Sequence, residues 1–171
     1  MKGQPAPIIV TALFGKDDFS YLDGLRRQYY PSERNVAEAH LTLFHHLPPS
    51  AAEELKHRLN SEVREIRAPH ARLHRVISLG SGVAYGVESQ ELSDIRDRLA
   101  EAFSGLLIPQ DQQAWRPHVT IQNKVSSSEA KALFETLSTD FRPRPLKIAG
   151  LASWYYRGGP WEPLSTLKFS G

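Results

Sequence analysis

The sequence predicts an α+β fold of two pseudo-symmetric β-α-β-α-β lobes. Three observations predict it. Strand and helix patterns alternate in that order twice, with one further strand at the end. Residues 40–59 match residues 118–137 without a gap at a spacing of 78. The composition, 40% hydrophobic and 23% charged over 171 residues, is that of an ordinary globular chain long enough to bury its own core. One bilobal domain over 1–171 is expected, with lobe 1 at about 7–80, lobe 2 at about 83–171, and termini free to cross between lobes.

Residues 7–14 are rich in β-branched side chains (Ile8, Ile9, Val10 and Thr11) and meet the breaker Gly15, so they read as a strand. Phe19, Leu22, Leu25 and Tyr29 then recur at helical spacing until Pro31. Residues 39–47 are extended. Ser50-Ala51-Ala52-Glu53 has the form of a capping box, opening a helix striped by Ala52, Leu55, Leu59, Val63 and Ile66. Arg72 to Leu79 and Val83 to Val87 are strands about a Gly80-Ser81-Gly82 turn. A helix from about Gln90 to Phe103 carries Leu92, Ile95, Leu99 and Phe103, and residues 109–113 form a polar loop. Residues 117–125 are extended. Ser126 and Glu129 cap a helix carrying Ala130, Leu133, Phe134 and Leu137. Leu146–Tyr156 and Leu164–Phe169 form a hairpin.

Composition excludes several classes of function. Cysteine is absent, which removes disulfides, thiolate metal sites and cysteine nucleophiles. A net charge of +2 is too small to coat duplex DNA by field alone. Ile8-Ile9-Val10 is too short for a signal core, and no run approaches a membrane span. A cytoplasmic protein with no membrane partner is expected.

Within the internal repeat, six of twenty positions are identical. The leucines and alanine are what two amphipathic helices share, but His40/His118 and Thr42/Thr120 are required by neither strand formation nor burial. Seven histidines and six threonines predict roughly 0.25 His-x-Thr tripeptides, so two would arise by accident in roughly 3% of such chains. Along a strand, residues i and i+2 share a face, so each histidine projects with its threonine while Leu41, Leu43, Val119 and Ile121 face away. Two such strands about a pseudo-two-fold axis bring two imidazoles and two hydroxyls to one groove. A phosphate there would meet a proton acceptor, a proton donor and two hydroxyl donors, which is general acid–base chemistry with no metal or other cofactor required.

Ala39-His40-Leu41-Thr42-Leu43 and Trp115-Arg116-Pro117-His118-Val119-Thr120-Ile121 resemble the two signatures of the 2H phosphoesterases. Within them the chain is similar to the bacterial 2′-5′ RNA ligase branch, which includes 2′,3′-cyclic phosphodiesterases. The Tyr156-Arg157-Gly158-Gly159-Pro160-Trp161 hairpin resembles that branch's ending. The resemblance implies antiparallel sheets facing a central active-site groove. It implies His40 and His118 as the proton-transfer pair, His118 as base and His40 as acid, with Thr42 and Thr120 binding phosphate oxygens. The implied activity is hydrolysis of 2′,3′-cyclic phosphates at RNA ends or on nucleotides, giving a 2′-phosphate, with 2′-5′ ligation as the reverse. A 2′-5′ oligonucleotide phosphodiesterase and a non-catalytic RNA-binding module are the alternatives. Relatives often place an arginine shortly after the second motif; here Gln122-Asn123-Lys124 stands instead. No obligate protein partner is expected, and the chain is read as a monomer.

Other features read more plainly. Strand parity turns His45 away from His40, and His46 lies roughly 20 Å along an extended strand, so the three do not form a metal site. His57, His70 and His74 read as surface residues. The basic stretch 56–75 could track an RNA backbone but reads as a solvated face. Trp115, Tyr85, Trp154 and Tyr156 could stack a base but read as core. Arg34 and Asn35 lie in the loop before the first motif.

Overall fold

The computed structural model describes residues 5–170. Among them are strands β1 (Ile8–Phe14), β2 (Leu41–Leu47), β3 (His70–Ser78), β4 (Val83–Glu88), β5 (His118–Gln122), β6 (Arg144–Tyr155) and β7 (Glu162–Lys168). The helices are α1 (Lys16–Tyr29), α2 (Ala52–Glu65), α3 (Gln90–Ala102), α4 (Pro109–Gln112) and α5 (Ser127–Thr139). Among the described residues no helix is long and apolar enough to cross a membrane.

The expected elements form, with local differences. Pro49 starts a 3-10 turn at 49–51, so Ser50 lies inside a turn and α2 begins after Ala51 with no side-chain cap. The capping box is therefore not made. Ser126 does cap α5, its Oγ accepting the Glu129 N–H at 3.2 Å. The polar loop at 109–113 winds into α4, with Pro109 at its first turn. The second motif strand ends at Gln122, because Lys124 takes a left-handed φ of 63°.

All pairings are antiparallel, in the order β2-β1-β6-β3-β4-β5, with β7 also on β6. The long β6 spans both halves of the sheet. Its residues 148–155 pair with β1, and 144–147 pair with β3. Strand allocation therefore departs from the two halves of the chain. The strand placed in the first lobe by sequence, β3, pairs with β4 and β6, while C-terminal β6 and β7 complete the sheet around β1. Helical stripes drive the packing: Leu22, Leu55, Leu59, Leu92, Ile95 and Leu99 are at most 1% exposed, each worth about 1.5–3 kcal/mol.

The two motif strands, β2 and β5, lie at opposite ends of the strand order, yet they contact each other without pairing. Each is bulged just after its threonine. Thr11 and Val10 pair with Thr42 and Phe44, leaving Leu43 extra; Ala84 and Val83 pair with Thr120 and Gln122, leaving Ile121 extra. The strand face switches at each bulge, so Leu43 and Phe44 are both buried, as are Ile121 and Gln122.

Gly82 fixes the start of β4 against the second motif strand. A Cβ there would lie 1.9 Å from the Gln122 carbonyl oxygen, a backbone atom with no room to retreat. Gly82→Ala is expected to destabilise the protein by more than about 2 kcal/mol in urea titration, whereas Gly24→Ala, where nothing lies within 4 Å, is neutral or stabilising.

Candidate active site

His40, Thr42, His118 and Thr120 line one cleft of about 580 Å³. The two motifs are built alike. The His40 ring donates Nδ1–H to the Glu38 carbonyl at 2.7 Å, and the His118 ring donates Nδ1–H to the Arg116 carbonyl at 2.7 Å. Each histidine is thus fixed in rotation and tautomer by the carbonyl two residues before it, leaving Nε2 without a partner among the described residues. The Thr42 and Thr120 hydroxyls are likewise uncommitted among the described residues. Two directed ring nitrogens and two hydroxyls therefore line one space.

The environments of the rings differ. Trp161, from the β6–β7 hairpin, packs on His40 with ring centres 4.5 Å apart. Burial pushes the His40 imidazole down to about 4, with smaller pushes from Arg26, His118 and His45 against an upward pull from the bond to Glu38. His40 is therefore neutral across the physiological range.

Sequence reasoning missed several lining residues. His45 lines the same cleft as His40. The parity argument that turned it away fails because the extra residue at Leu43 returns His45 to the Thr42 face. Its ring donates Nδ1–H to Asp111 at 2.8 Å, and Asp111 also accepts the backbone N–H groups of His45 and His46. Burial alone would raise the Asp111 carboxyl, but these bonds hold it below the usual aspartate value. Among the described residues no group of three or more His, Cys, Asp or Glu is placed to hold a metal ion.

Arg96 on α3 lines the cleft and donates to the carbonyls of Leu43 at 3.1 Å and Asp111 at 2.7 Å. Arg26 on α1 does the reverse service, donating to the Thr120 carbonyl at 3.0 Å and to Asn35 and Ala37. Neither arginine lies near a motif in sequence, so no local signal pointed to them; their burial at 4% and 6% exposure is the sign of a structural task.

Of the stacking candidates, Trp115 lines the cleft and donates Nε1–H to the Thr42 carbonyl at 3.0 Å. Tyr85 is core, stacked on Phe141, and Tyr156 is exposed. Asn35 serves Arg26, while Arg34 is exposed and away from the cleft. None of the basic side chains at 56–75 lines the cleft; Arg58 and Arg72 pair with Glu54 and Glu88.

Asp111→Asn would set an amide N–H₂ or a single oxygen against donors that now share a carboxylate. A loss of about 1–3 kcal/mol at pH 7 is expected in urea titration. The folded carboxyl is held low, so its contribution is complete above the unfolded value of 3.8 and is lost as pH falls below it. The gap between wild type and variant should therefore shrink between pH 5 and pH 2.

The model of the 2′-5′ RNA ligase superfamily matches residues 16–160. The structure of TT0787 from Thermus thermophilus superposes with a TM-score of 0.67 at 14% identity, over 96% of this chain and 98% of that one. LigT of E. coli complexed with 3′-AMP gives 0.58 at 18% identity, over 98% and 100%. LigT complexed with phosphate gives 0.56 at 16%, over 99% and 100%. At such identities the likeness is one of fold. No curated protein matches the sequence. With most of its length matched by the family model and its whole fold shared, the chain belongs to the 2′-5′ RNA ligase superfamily, the 2H phosphoesterases.

Proposed function

We propose that the protein is a 2′,3′-cyclic phosphodiesterase acting on RNA ends or nucleotides, with His40 and His118 transferring protons and Thr42 and Thr120 holding the phosphate. The observation that carries this reading is the matched pair of imidazoles on one cleft, each clamped at Nδ1 and open at Nε2. The 3′-AMP and phosphate complexes of E. coli LigT support nucleotide and phosphate ligands for this fold. None of Gln122, Asn123 and Lys124 lines the cleft, whereas the buried Arg96 on its wall brings a positive charge.

In the hydrolytic direction, water attacks phosphorus in line with the 3′ oxygen. One Nε2 takes the proton from water while the other, protonated, delivers one to the departing 3′ oxygen. The P–O3′ bond breaks, leaving a 2′-phosphate and a 3′-hydroxyl. The resemblance implies His118 as base, but the desolvated ring is His40, and a ring neutral at pH 7 suits the base and not the acid. We therefore assign His40 as base and His118 as acid for hydrolysis. Threonine hydroxyls donate to the non-bridging oxygens, where charge gathers in the transition state. With a 5′-hydroxyl in place of water, the same step, with the same base and acid, breaks the P–O3′ bond and makes a 2′-5′ bond; attack of the 3′-hydroxyl back on that bond exchanges the roles.

The test is turnover of a nucleoside 2′,3′-cyclic phosphate in EDTA. Wild type should form the 2′-phosphate without added metal, and His40→Ala and His118→Ala should each lose about 10²–10⁴-fold in kcat. Loss within tenfold for either variant, or dependence on a divalent ion, defeats the mechanism. The pH profile of kcat/KM should be bell-shaped, with its acid limb below the ordinary histidine value of 6.5 because burial holds His40 down. Trp161→Ala opens that ring to water and should move the acid limb upward toward 6.5, while leaving the alkaline limb in place.

A further inference from the structure

A second cavity, of about 840 Å³, opens beside the catalytic cleft, and His40 and Trp161 line both. Its floor continues the groove face of β1, where Thr11 and Leu13 follow Ile9 of the cleft at alternate positions. Its wall is aromatic. Trp161 lies 6.2 Å from Trp154, ring centre to ring centre, and Trp154 is pinned by donating Nε1–H to the Thr11 hydroxyl at 3.0 Å. Lys16, Lys147 and Lys168 are exposed at its edge, and none has an ion-pair or hydrogen-bond partner for its ammonium among the described residues. Glu38 is the one carboxylate among the described lining residues, so the cavity is net cationic.

A cleft of about 580 Å³ already falls within the range that holds a small ligand. The larger space next to it is therefore available to whatever is joined to the cyclic phosphate. Indole faces with nearby ammonium groups are the combination that binds single-stranded nucleic acid: bases stack and the backbone is neutralised. We infer that this cavity is a second nucleotide subsite, taking a nucleoside joined through a phosphodiester to the one that bears the cyclic phosphate. Its base lies against Trp161 and Trp154, and the linking phosphate meets the lysines. The inference deepens the proposed function and rests on it: the preferred substrate is an oligonucleotide end and not a free cyclic mononucleotide.

Two measurements keep the subsite and the reaction apart. Calorimetric titration needs no turnover, and compares a diribonucleotide ending in a 2′-phosphate with the nucleoside 2′-phosphate. The dinucleotide should bind wild type about tenfold more tightly. That ratio should fall toward one in a Lys16→Gln, Lys147→Gln, Lys168→Gln variant checked for folding by thermal melting. A methylphosphonate linkage, which removes the charge from the ligand and leaves the protein intact, should have the same effect. Equal affinity of wild type for the two ligands overturns the subsite whatever the reaction proves to be. A preference unchanged by both the triple substitution and the neutral linkage overturns the part given to the lysines. Turnover of the corresponding cyclic phosphates then reports the chemistry. A kcat/KM ratio that follows the affinity ratio supports both, and cleavage of neither overturns the catalytic reading even where the dinucleotide binds better.

Discussion

Each motif strand is an open sheet edge capped by a buried arginine from the other half of the molecule. An edge leaves backbone carbonyls unpaired, and one buried without a partner costs about 1–3 kcal/mol. Arg96 of α3 donates to the Leu43 carbonyl at the bulge of β2, and Arg26 of α1 donates to the Thr120 carbonyl at the bulge of β5. Burial lowers the pKa of both guanidinium groups, a desolvation offset by charge-assisted hydrogen bonds and by the aromatic faces beneath them. Arg26 lies 4.3 Å from the Tyr30 ring centre, and Arg96 lies 4.5 Å from that of Phe44. This reciprocal capping fixes β2 relative to β5, and so fixes the two histidines relative to each other.

On that symmetric frame stands an asymmetric site. The clamp on each imidazole is the same, a carbonyl two residues back, as the repeat of 78 residues requires. What differs is the covering. The β6–β7 hairpin brings Trp161 down on His40, and the β2 bulge adds His45 beside it. Two equally clamped imidazoles thereby stand in different surroundings, and burial lowers the proton affinity of His40, which suits the part of proton acceptor proposed for it.

How much of this was legible in the sequence follows from how local each signal is. The strands, the amphipathic stripes and the two His-x-Thr motifs are short-range patterns, and they stand where the periodicity put them. His45 was misplaced because strand parity assumes an unbroken pleat, and one inserted residue at Leu43 reverses every face beyond it. Arg26, Arg96 and Asp111 act 94, 53 and 66 residues from the atoms they bind, beyond the reach of any spacing argument. The missing cap at Ser50 is a smaller case of the same kind: Pro49 winds the chain one residue too early. Strand β3 was assigned by chain order, whereas its neighbours were set by the long β6, which serves both halves.

The cross-capped edges also have a bearing on synthesis. A ribosome completes the first motif strand well before Arg96, Asp111 and Trp115, which lie 53, 66 and 73 residues downstream of their bonding partners on that strand. At about 5–20 residues per second, that is a delay of several seconds with its outer edge bare. A nascent chain halted in that interval holds the first His-x-Thr motif without the second and has no cleft, so the space between the two motifs is among the last parts of the molecule to come into being.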